Sequence, residues 1–241
     1  MMRDSISIAM ATYNGEKYIE NQLKSILSQL KNYDEVIISD DGSTDNTIHI
    51  IEELNDQRIK IIDGPKKGII KNFENAIVNC KNDYIFLSDQ DDYWMPNKVE
   101  RMLKEFKEKN ALLVMHDCVI KNVDTGKIIS DSFFKLRNCK TGIIRNVIKN
   151  SYIGCCMAFN KKLIPLIVPI PTNIAMHDQW IGLIGDFYKK NYFIDDKLIE
   201  YRRHEGNASD CFHHNSIRTM IKNRICLIIE LIKRRRKCLL I

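Results

Sequence analysis

The chain lacks several features that would place it outside the cytoplasm or inside a membrane. Its eight cysteines include no Cys-x-x-Cys pair, and the first five residues run into a predicted strand without the apolar segment that export needs. No stretch reaches the roughly 20 consecutive apolar residues of a transmembrane helix. Internal repeats and low-complexity linkers are also missing. We therefore expect a cytoplasmic protein with reduced thiols and one large domain.

Most of the chain also lacks net charge. Residues 216–241 hold eight Lys and Arg against one Glu, a balance of +7. The other 29 basic and 30 acidic residues leave residues 1–215 with a charge of −1. A basic surface spread over a fold is the usual electrostatic mark of nucleic-acid binding. Its absence predicts that nucleic acid is not a partner.

The first half of the sequence alternates short apolar runs with segments of helical periodicity. The predicted strands lie at 5–11, 36–39, 59–62, 84–87 and 112–119, and the predicted helices at 16–30, 46–54, 69–79 and 96–109. Later elements are a hairpin turn at 122–127, a helix at 139–150, a strand at 155–159, a helix at 177–189 and strands at 192–194 and 198–201. Continuously apolar strands, each followed by a helix, are typical of parallel sheets covered on both faces. The predicted fold is therefore a doubly wound, mostly parallel α/β sheet.

Acidic side chains directly follow the fourth predicted strand. Residues 88–92 read Ser-Asp-Gln-Asp-Asp, and the carboxyl ends of strands are where open parallel sheets bind ligands. Clustered Asp oxygens there suit a hard divalent cation that holds phosphates. A solvated acidic turn is the alternative for so short a match. Further polar segments follow the first strand at 12–14 and the second at 40–43, and another begins a helix at 177–180.

The order of these polar segments resembles the inverting family-2 glycosyltransferases of the GT-A fold. Within them it is similar to bacterial rhamnosyltransferase-like enzymes of surface polysaccharide synthesis. Each segment alone is a weak signal, whereas the set in this order is specific and extends over residues 5 to about 209. The segments are Ala-Thr-Tyr-Asn-Gly at 11–15, Ser-Asp-Asp-Gly-Ser-Thr-Asp at 39–45, Gly68 with Lys-Asn-Phe-Glu at 71–74, Ser-Asp-Gln-Asp-Asp-Tyr-Trp at 88–94, His-Asp-Gln-Trp at 177–180 and Tyr-Arg-Arg-His at 201–204.

The resemblance implies an enzyme that uses Mg²⁺ or Mn²⁺ and a UDP- or dTDP-sugar donor. A cation held by a carboxylate and both phosphates stabilises the charge that grows on the pyrophosphate as the sugar departs. Asp91 is the implied metal ligand, together with His204, although an isolated His is more often an ordinary polar residue. A mobile lid is expected at 206–209. The implied nucleotide-sugar-binding residues are Thr12, Tyr13, Asn14, Asp40, Asp41, Lys71, Asp89, Gln90, Arg202 and Arg203, with a solvated helix lysine as the alternative for Lys71.

Inversion in one displacement needs a single general base, and the resemblance assigns that role to Asp178. Partial shielding beside Trp180 would raise the pKa of its carboxyl group toward the working range of a base. Asp178 can also act as the N-cap of a helix. Many relatives have Glu-Asp here whereas this chain has His177-Asp178, which leaves the role of His177 open. The two tryptophans, Trp94 and Trp180, either stack on sugars or anchor loops against the core.

Residues 216–241 are predicted to form a basic amphipathic helix that follows a GT-A domain of residues 1–215. Basic residues near an anionic lipid surface contribute about 1 kcal/mol each. We therefore expect a peripheral contact with anionic lipid at the inner face of the cell membrane. Packing of the helix on the domain is the alternative. The predicted apolar stripe consists of Ile217, Met220, Ile221, Ile225, Ile228, Leu231 and Ile232.

The implied reaction is transfer of a sugar from a UDP- or dTDP-sugar to a hydroxyl of a lipid-linked saccharide. One alternative is a sugar nucleotidyltransferase, which should carry a glycine-rich, basic phosphate loop after the first strand. Residues 12–15, Thr-Tyr-Asn-Gly, are not such a loop. A second alternative is a catalytically inactive nucleotide-sugar-binding protein. It would be expected to have lost one of the acids, and none is missing.

Overall fold

The computed structural model describes residues 3–204 and 217–238, and its centre is a nine-stranded sheet. The predicted lid at 206–209 lies outside the described residues. The strands are β1 (Ile6–Thr12), β2 (Glu35–Asp40), β3 (Ile59–Asp63), β4 (Tyr84–Ser88), β5 (Tyr93–Trp94), β6 (Leu113–Asn122), β7 (Ile128–Ser130), β8 (Met157–Asn160) and β9 (Asn191–Arg203). The helices are α1 (Ile19–Leu27), α2 (Thr47–Glu53), α3 (Ile69–Asn79), α4 (Lys98–Lys109), α5 (Phe133–Arg137), α6 (Ile143–Ile148), α7 (Ile164–Ile167), α8 (His177–Asp186) and α9 (Ile217–Cys238).

The first four strands form a parallel half-sheet in the order β3-β2-β1-β4. Its registers align the carboxyl ends of the strands. Thr12 at the end of β1 pairs with Asp40 at the end of β2, and Met10 pairs with Ser88 at the end of β4. The polar segments that follow these strands therefore meet at one edge of the sheet, as the sequence predicts.

The second half of the sheet continues in the order β4-β8-β6-β9-β5, with β7 paired to β6. β8 is antiparallel to both of its neighbours, and β9 runs parallel to β6. β5 follows the acidic segment directly and pairs with the end of β9, where Tyr93 lies opposite Glu200. This pairing brings the carboxyl end of β9 beside the acids after β4. The predicted mostly parallel α/β sheet is confirmed, with β5, β7 and β8 antiparallel.

The core is formed by the apolar strands and by one face of each long helix. Ile19, Leu23 and Ile26 of α1 are fully buried, which is the helical spacing that the sequence shows. Both tryptophans belong to this core, because Trp94 is 1% exposed and Trp180 is 0% exposed. The indole of Trp180 donates to the Ile167 carbonyl over 2.9 Å. Of the two roles considered for the tryptophans, the structure supports anchoring.

Several predicted elements differ in extent from the observed ones. The helix predicted at 139–150 is only α6, because Gly142 has φ +113° before it and Lys149 is extended after it. A separate short helix, α5, precedes it. The helix predicted at 177–189 ends at Asp186. The two late strands are one strand, β9, whose pairing with β6 passes from Ile194 to Lys197 through a register shift at the exposed residues 195 and 196.

The predicted C-terminal helix is present as α9, and it packs against α6 and α7. Its buried residues are Leu227, Leu231 and Arg234, so Leu231 belongs to the inner face and not to the predicted stripe. The Arg234 guanidinium donates to the carbonyls of Leu166, Val168 and Pro169 over 2.6, 3.0 and 2.7 Å. Within residues 3–204 and 217–238, no helix has the length and apolar character required to cross a bilayer.

Candidate active site

The turn after β2 is built around the Asp40 carboxylate. Asp40 is 8% exposed and accepts hydrogen bonds from the Thr12 hydroxyl at 3.0 Å and from the backbone N–H groups of Gly42 and Ser43 at 3.0 and 2.7 Å. Thr12 and Asp40 thus join the ends of β1 and β2, and these hydrogen bonds shape the edge of the sheet from within.

The loops after β1 and β4 are joined by Gln90. Its side-chain oxygen accepts from the Tyr13 N–H at 3.0 Å, and its nitrogen donates to the Tyr13 carbonyl at 3.1 Å. Gly15 permits this approach, since a Cβ there would lie 2.4 Å from the Gln90 oxygen. Asn14, in the left-handed region with φ 47°, accepts from the Thr44 N–H at 2.8 Å. The Tyr13 side chain is 57% exposed, which leaves its ring open to a ligand.

Asp41 and Lys71 contact other loops of the protein. The Asp41 carboxylate accepts from the N–H groups of Lys66 at 2.6 Å and Gly68 at 2.9 Å. The Lys71 ammonium donates to Glu74 at 2.8 Å and to the Ile170 carbonyl at 2.9 Å. Lys71 is therefore not the solvated lysine that the alternative considered. Its ammonium holds the loop after α7 against α3.

The two predicted metal ligands lie together although they are far apart in sequence. His204 Nε2 is 2.9 Å from Asp91 Oδ2, and each side chain is only 11–12% exposed. The His204 ring stacks on Tyr18 with 4.4 Å between centroids. Neighbouring Arg202 and Arg203 end β9, where the Arg202 guanidinium lies 5.3 Å from the centre of the Tyr93 ring. The Asp91 and His204 side chains can hold a divalent cation between the ends of β4 and β9.

A second group of possible ligand atoms lies deeper. Oxygens of Asp89 and Asp92 and the sulfur of Cys155 are within 4.8 Å of one another. Burial, followed by the charge of Asp91, raises the pKa of Asp92 to about 7. Burial also raises the pKa of the Cys155 thiol well above its usual range. A protonated thiol is a poor ligand for Mg²⁺ or Mn²⁺, so Asp91 with His204 fits such an ion better than this deeper group does.

Lys98 is a component of the site that the sequence did not reveal. Its side chain is fully buried, donates to the Cys155 carbonyl at 2.8 Å and lies 3.9 Å from the centre of the Trp94 ring. Burial lowers the pKa of Lys98 to about 8, and the nearby thiols and Asp92 oppose that shift. Its position four residues before buried Met102 was an available signal, because i and i+4 share a helix face.

Asp178 lies in the first turn of α8, whose N-cap residue is Met176, so the N-cap role is not the one observed. Burial raises the pKa of Asp178 to about 6, although N–H groups of Gln179 and Gly154 favour its charged form. The shielding that the sequence predicts is therefore present. His177 stacks on Phe73 with 4.1 Å between centroids, and burial lowers its pKa to about 3. His177 is thus a neutral packing residue that fixes the start of α8.

Asp178 and the acids that follow β4 act on one another electrostatically. The pKa of Asp89 is raised well above its usual range by burial and then by the charges of Asp92, Asp91 and Asp178. A Cβ on Gly154 would be 3.1 Å from His177 Nε2 and 3.7 Å from Asp178 Cβ, and the sulfur of the next residue, Cys155, lies within 4.8 Å of oxygens of Asp89 and Asp92. The arrangement brings a carboxylate with a raised pKa close to the acids at the edge of the sheet.

Comparisons with known proteins agree with this geometry. The family model described as glycosyl transferase family 2 matches residues 7–166. The chain is 33% identical over 214 residues to the dTDP-rhamnosyl transferase RfbG of Shigella flexneri, covering 82% of this chain and 72% of that protein. It is 36% identical over 243 residues to the chondroitin synthase of Pasteurella multocida, but that match covers only 23% of the synthase.

Solved structures show the same fold at lower identity. Residues 1–349 of S. aureus TarS in complex with UDP-GlcNAc match with a TM-score of 0.68 at 21% identity, covering 84% of this chain and 60% of that one. The mannosyltransferase PcManGT of Pyrobaculum calidifontis, in complex with GDP-Man and Mn²⁺, matches with a TM-score of 0.64 at 19% identity, covering 86% and 59%. The GT-A fold predicted from the motif order is confirmed, and the chain spans about three fifths of each of these structures. With the family model matched over most of its length, this chain belongs to glycosyl transferase family 2.

Proposed function

We propose that this protein is a metal-dependent, inverting glycosyltransferase that moves a sugar from a UDP- or dTDP-sugar to a hydroxyl of a lipid-linked saccharide. The observation that carries the proposal is the proximity of Asp178 to the acids after β4. A Cβ on Gly154 would lie 3.7 Å from Asp178 Cβ, and the sulfur of the next residue, Cys155, lies within 4.8 Å of oxygens of Asp89 and Asp92. This proximity joins a candidate base to the acids that would hold a donor. The similarity to a dTDP-rhamnosyl transferase supports a deoxysugar donor, with rhamnose as the specific candidate.

Asp178 is suited to accept a proton from an acceptor alcohol. With a pKa of about 6 it is ionised at neutral pH yet more basic than an ordinary Asp. A single carboxylate in this role would let the alcohol attack the anomeric carbon from the face opposite the departing diphosphate, which inverts the configuration. Asp91 and His204 would hold Mg²⁺ or Mn²⁺, which would stabilise the charge on the departing diphosphate. Arg202 and Arg203 lie at the same end of β9 and are proposed phosphate partners.

The nucleoside would lie along the ends of β1 and β2. The exposed ring of Tyr13 is proposed to pack on the nucleotide, and Thr12, Asn14, Asp40, Asp41 and Gln90 would shape the pocket. Lys71 is proposed to contribute to nucleotide-sugar binding indirectly, by holding the loop after α7 in place. Asp89 would bind the ribose, as the resemblance implies.

We also propose that residues 1–215 form the catalytic unit and that residues 216–241 form a membrane-contacting helix. The described part of this helix, α9, keeps its isoleucines on the face opposite to its buried residues. A protein with this arrangement would work at the inner face of the cell membrane, where lipid-linked saccharides are accessible. The similarity to a glucosyltransferase of E. coli named for a diphosphoundecaprenol acceptor supports this placement.

The decisive experiment separates donor binding from transfer. Asp178→Asn should bind UDP or dTDP with wild-type affinity while losing transfer, measured as nucleotide released from a panel of nucleotide sugars with a lipid-linked saccharide extract as acceptor. Asp63→Asn, an exposed acid at the end of β3, is the control and should retain turnover. Undiminished release by Asp178→Asn would remove Asp178 as the base. Failure of the wild type to release nucleotide from any donor would favour the inactive alternative.

A further inference from the structure

The outer face of α9 carries a stripe of exposed isoleucines. Ile221, Ile225, Ile228, Ile229 and Ile232 are between 42% and 55% exposed. Spacings of three and four residues place them on one side of a helix, and the buried Leu227, Leu231 and Arg234 occupy the other side. No described residue covers this stripe. These five isoleucines form one continuous apolar patch, whereas the apolar residues that normally face water are scattered singly over a surface.

A second helix extends this apolar surface. On α6, Ile144 is 81% exposed and Ile148 is 60% exposed. The Arg224 guanidinium of α9 donates to the Ile148 carbonyl over 2.6 Å, which holds the two helices side by side. A shallow groove of about 340 Å³ opens along the first half of α9. It is lined by Arg218, Ile221, Lys222, Ile225 and Cys226.

Basic side chains flank the isoleucines. Arg218, Lys222, Lys233 and Arg235 are all exposed on α9, and Lys149 is exposed just after α6. Glu230 is the only acid on α9, and it pairs with Lys233 at 2.8 Å. An apolar stripe bordered by Lys and Arg is the pattern of a helix that lies in the interface of an anionic bilayer. The charge therefore selects a lipid surface as the occupant of this face.

The same surface is attached directly to the helix that carries the candidate base. Gln179 of α8 donates to the Asn146 carbonyl of α6 over 2.7 Å. From the other side, the Arg234 guanidinium of α9 lies 5.2 Å from the centre of the Trp180 ring. Asp178 is thus followed in α8 by Gln179, which contacts α6, and by Trp180, which contacts α9. A bilayer bound to α6 and α9 would fix the distance of Asp178 from the lipid headgroups.

We propose that α6 and α9 together form one docking surface for an anionic bilayer, and that this surface positions Asp178 for acceptors held in the membrane. The positioning part rests on the proposed function, whereas lipid binding does not. The inference adds α6, which lies outside the basic tail, to the membrane contact. It also predicts that α6 contributes to membrane binding and contributes no charged group to the catalytic site.

Co-sedimentation of the full chain with vesicles tests the surface. Ile144→Gln with Ile148→Gln on α6, and Ile221→Gln with Ile225→Gln on α9, should each lower the partition onto vesicles that contain phosphatidylglycerol by roughly tenfold. The matched control is Ile128→Gln with Ile129→Gln on β7, because these isoleucines are also exposed, at 63% and 43%. The control should bind as the wild type does. Vesicles of phosphatidylcholine alone should bind all forms weakly, and added salt should weaken binding to the anionic vesicles.

Two results would overturn the proposal. If the α6 variant sediments with anionic vesicles as the wild type does, α6 is not part of the surface. If the wild type forms a dimer in lipid-free solution that the isoleucine variants abolish, the occupant of this face is a second copy of the chain. Hydrolysis of the nucleotide sugars without vesicles should be unchanged in every isoleucine variant. Measuring hydrolysis keeps the two proposals separate. If only Asp178→Asn loses hydrolysis, the result concerns the reaction and not the lipid-binding surface.

Discussion

At the scale of single residues, Asp178 carries its charge where burial opposes it. Its pKa is about 6 in the folded protein, against an ordinary value of 3.8. A raised folded-state pKa means that the folded protein holds the proton more tightly than the unfolded chain does. The cost of ionising Asp178 is absent below about pH 4, grows between pH 4 and 6 and is complete above pH 6.

Asp178→Asn should therefore stabilise the protein at high pH. We expect the free energy of unfolding at pH 8 to increase by up to about 3 kcal/mol, since the pKa of Asp178 is raised by about two units and each unit corresponds to about 1.4 kcal/mol. The gain should shrink toward pH 4.5. Urea denaturation at both pH values measures it, with exposed Asp63→Asn as the control. A gain that is equal at both pH values would show that the charge is not the cause.

Asp91→Ala should remove the metal dependence of nucleotide binding. The wild type should bind UDP or dTDP more tightly with Mn²⁺ than with EDTA, because a cation bridges protein carboxylate and phosphate. The variant should bind equally weakly in both conditions, measured by titration calorimetry. Asp63→Ala should behave as the wild type. A variant that retains the full effect of Mn²⁺ would refute the assignment of Asp91.

Lys98→Met should destabilise the protein. The Lys98 side chain is fully buried, so the effect arises inside the protein and not at its surface. The change leaves the buried Cys155 carbonyl without its donor, at a cost of about 1–3 kcal/mol. It also removes the positive charge that acts on Asp92. Denaturation at pH 7 measures the loss, and Lys109→Met at the exposed end of α4 should change stability little. Equal stability of the two variants would mean that the buried ammonium contributes nothing.

The residues of the site were partly accessible from sequence. The meeting of Asp91 with His204 agrees with the motif order, since both follow strands whose ends lie at one edge. Lys98 was missed because a single lysine next to apolar residues reads as a side chain that reaches water. Tertiary packing around Trp94 overrides that expectation. The close ties of Gln90 and Lys71 to backbone groups also depend on loops that approach only in three dimensions.

At the scale of elements, α8 packs closely at two glycines, against Tyr152 in the segment before β8 and against Asn191 at the start of β9. A Cβ at Gly182 would lie 2.3 Å from the Tyr152 ring, and one at Gly185 would lie 2.2 Å from the Asn191 side-chain oxygen. Tyr152 cannot easily move, because it is 2% exposed and its hydroxyl accepts from Asn191 at 2.8 Å. The carboxyl half of α8 is thereby fixed against Tyr152 and the start of β9.

Gly182→Ala tests this contact by the sign of its effect. In a free helix the change would stabilise by up to about 1 kcal/mol. Here the clash with Tyr152 should dominate and lower the free energy of unfolding by about 1–3 kcal/mol. Thermal denaturation compared with Lys109→Ala, an exposed helix position, measures the difference. A stabilised variant would show that α8 is not packed so closely on Tyr152.

The elements that the sequence predicts well are those with long apolar patterns. β1 to β4 and α1 to α4 follow from periodicity alone. β5 could not be predicted, because two residues give no pattern and its pairing with β9 is distant in sequence. β9 was divided at residues 195–197 because exposed polar residues there interrupt the apolar run. Backbone hydrogen bonds to β6 continue on either side of this interruption, with a shift in register.

At the scale of the whole molecule, one buried arginine contributes to the attachment of α9, beside the buried Leu227 and Leu231. Arg234 is 8% exposed and bonds three carbonyls at the end of α7. No local pattern predicts this, because Arg234 stands in a run of basic residues that reads as solvated. The sequence therefore predicted the helix and its charge but not which face meets the domain.

Arg234→Met should release α9 without unfolding the sheet. Three buried carbonyls would lose their donor, so local opening of α9 should become more frequent. Hydrogen exchange should accelerate across 217–238 and stay unchanged in β1, β2 and β4. Arg235→Met, which removes the adjacent exposed guanidinium, is the matched control and should leave exchange unaltered. Equal exchange in both variants would mean that the leucines alone hold the helix.

The pairing of Asp91 with His204 has a consequence for the timing of activity. These two residues are 113 positions apart, so a ribosome making the chain delivers every donor-side acid long before the imidazole that meets one of them. On the proposed assignment, a nascent chain that has not yet reached the end of β9 would lack one of the two cation ligands. Sugar transfer would then begin only after the last strand of the sheet has been added.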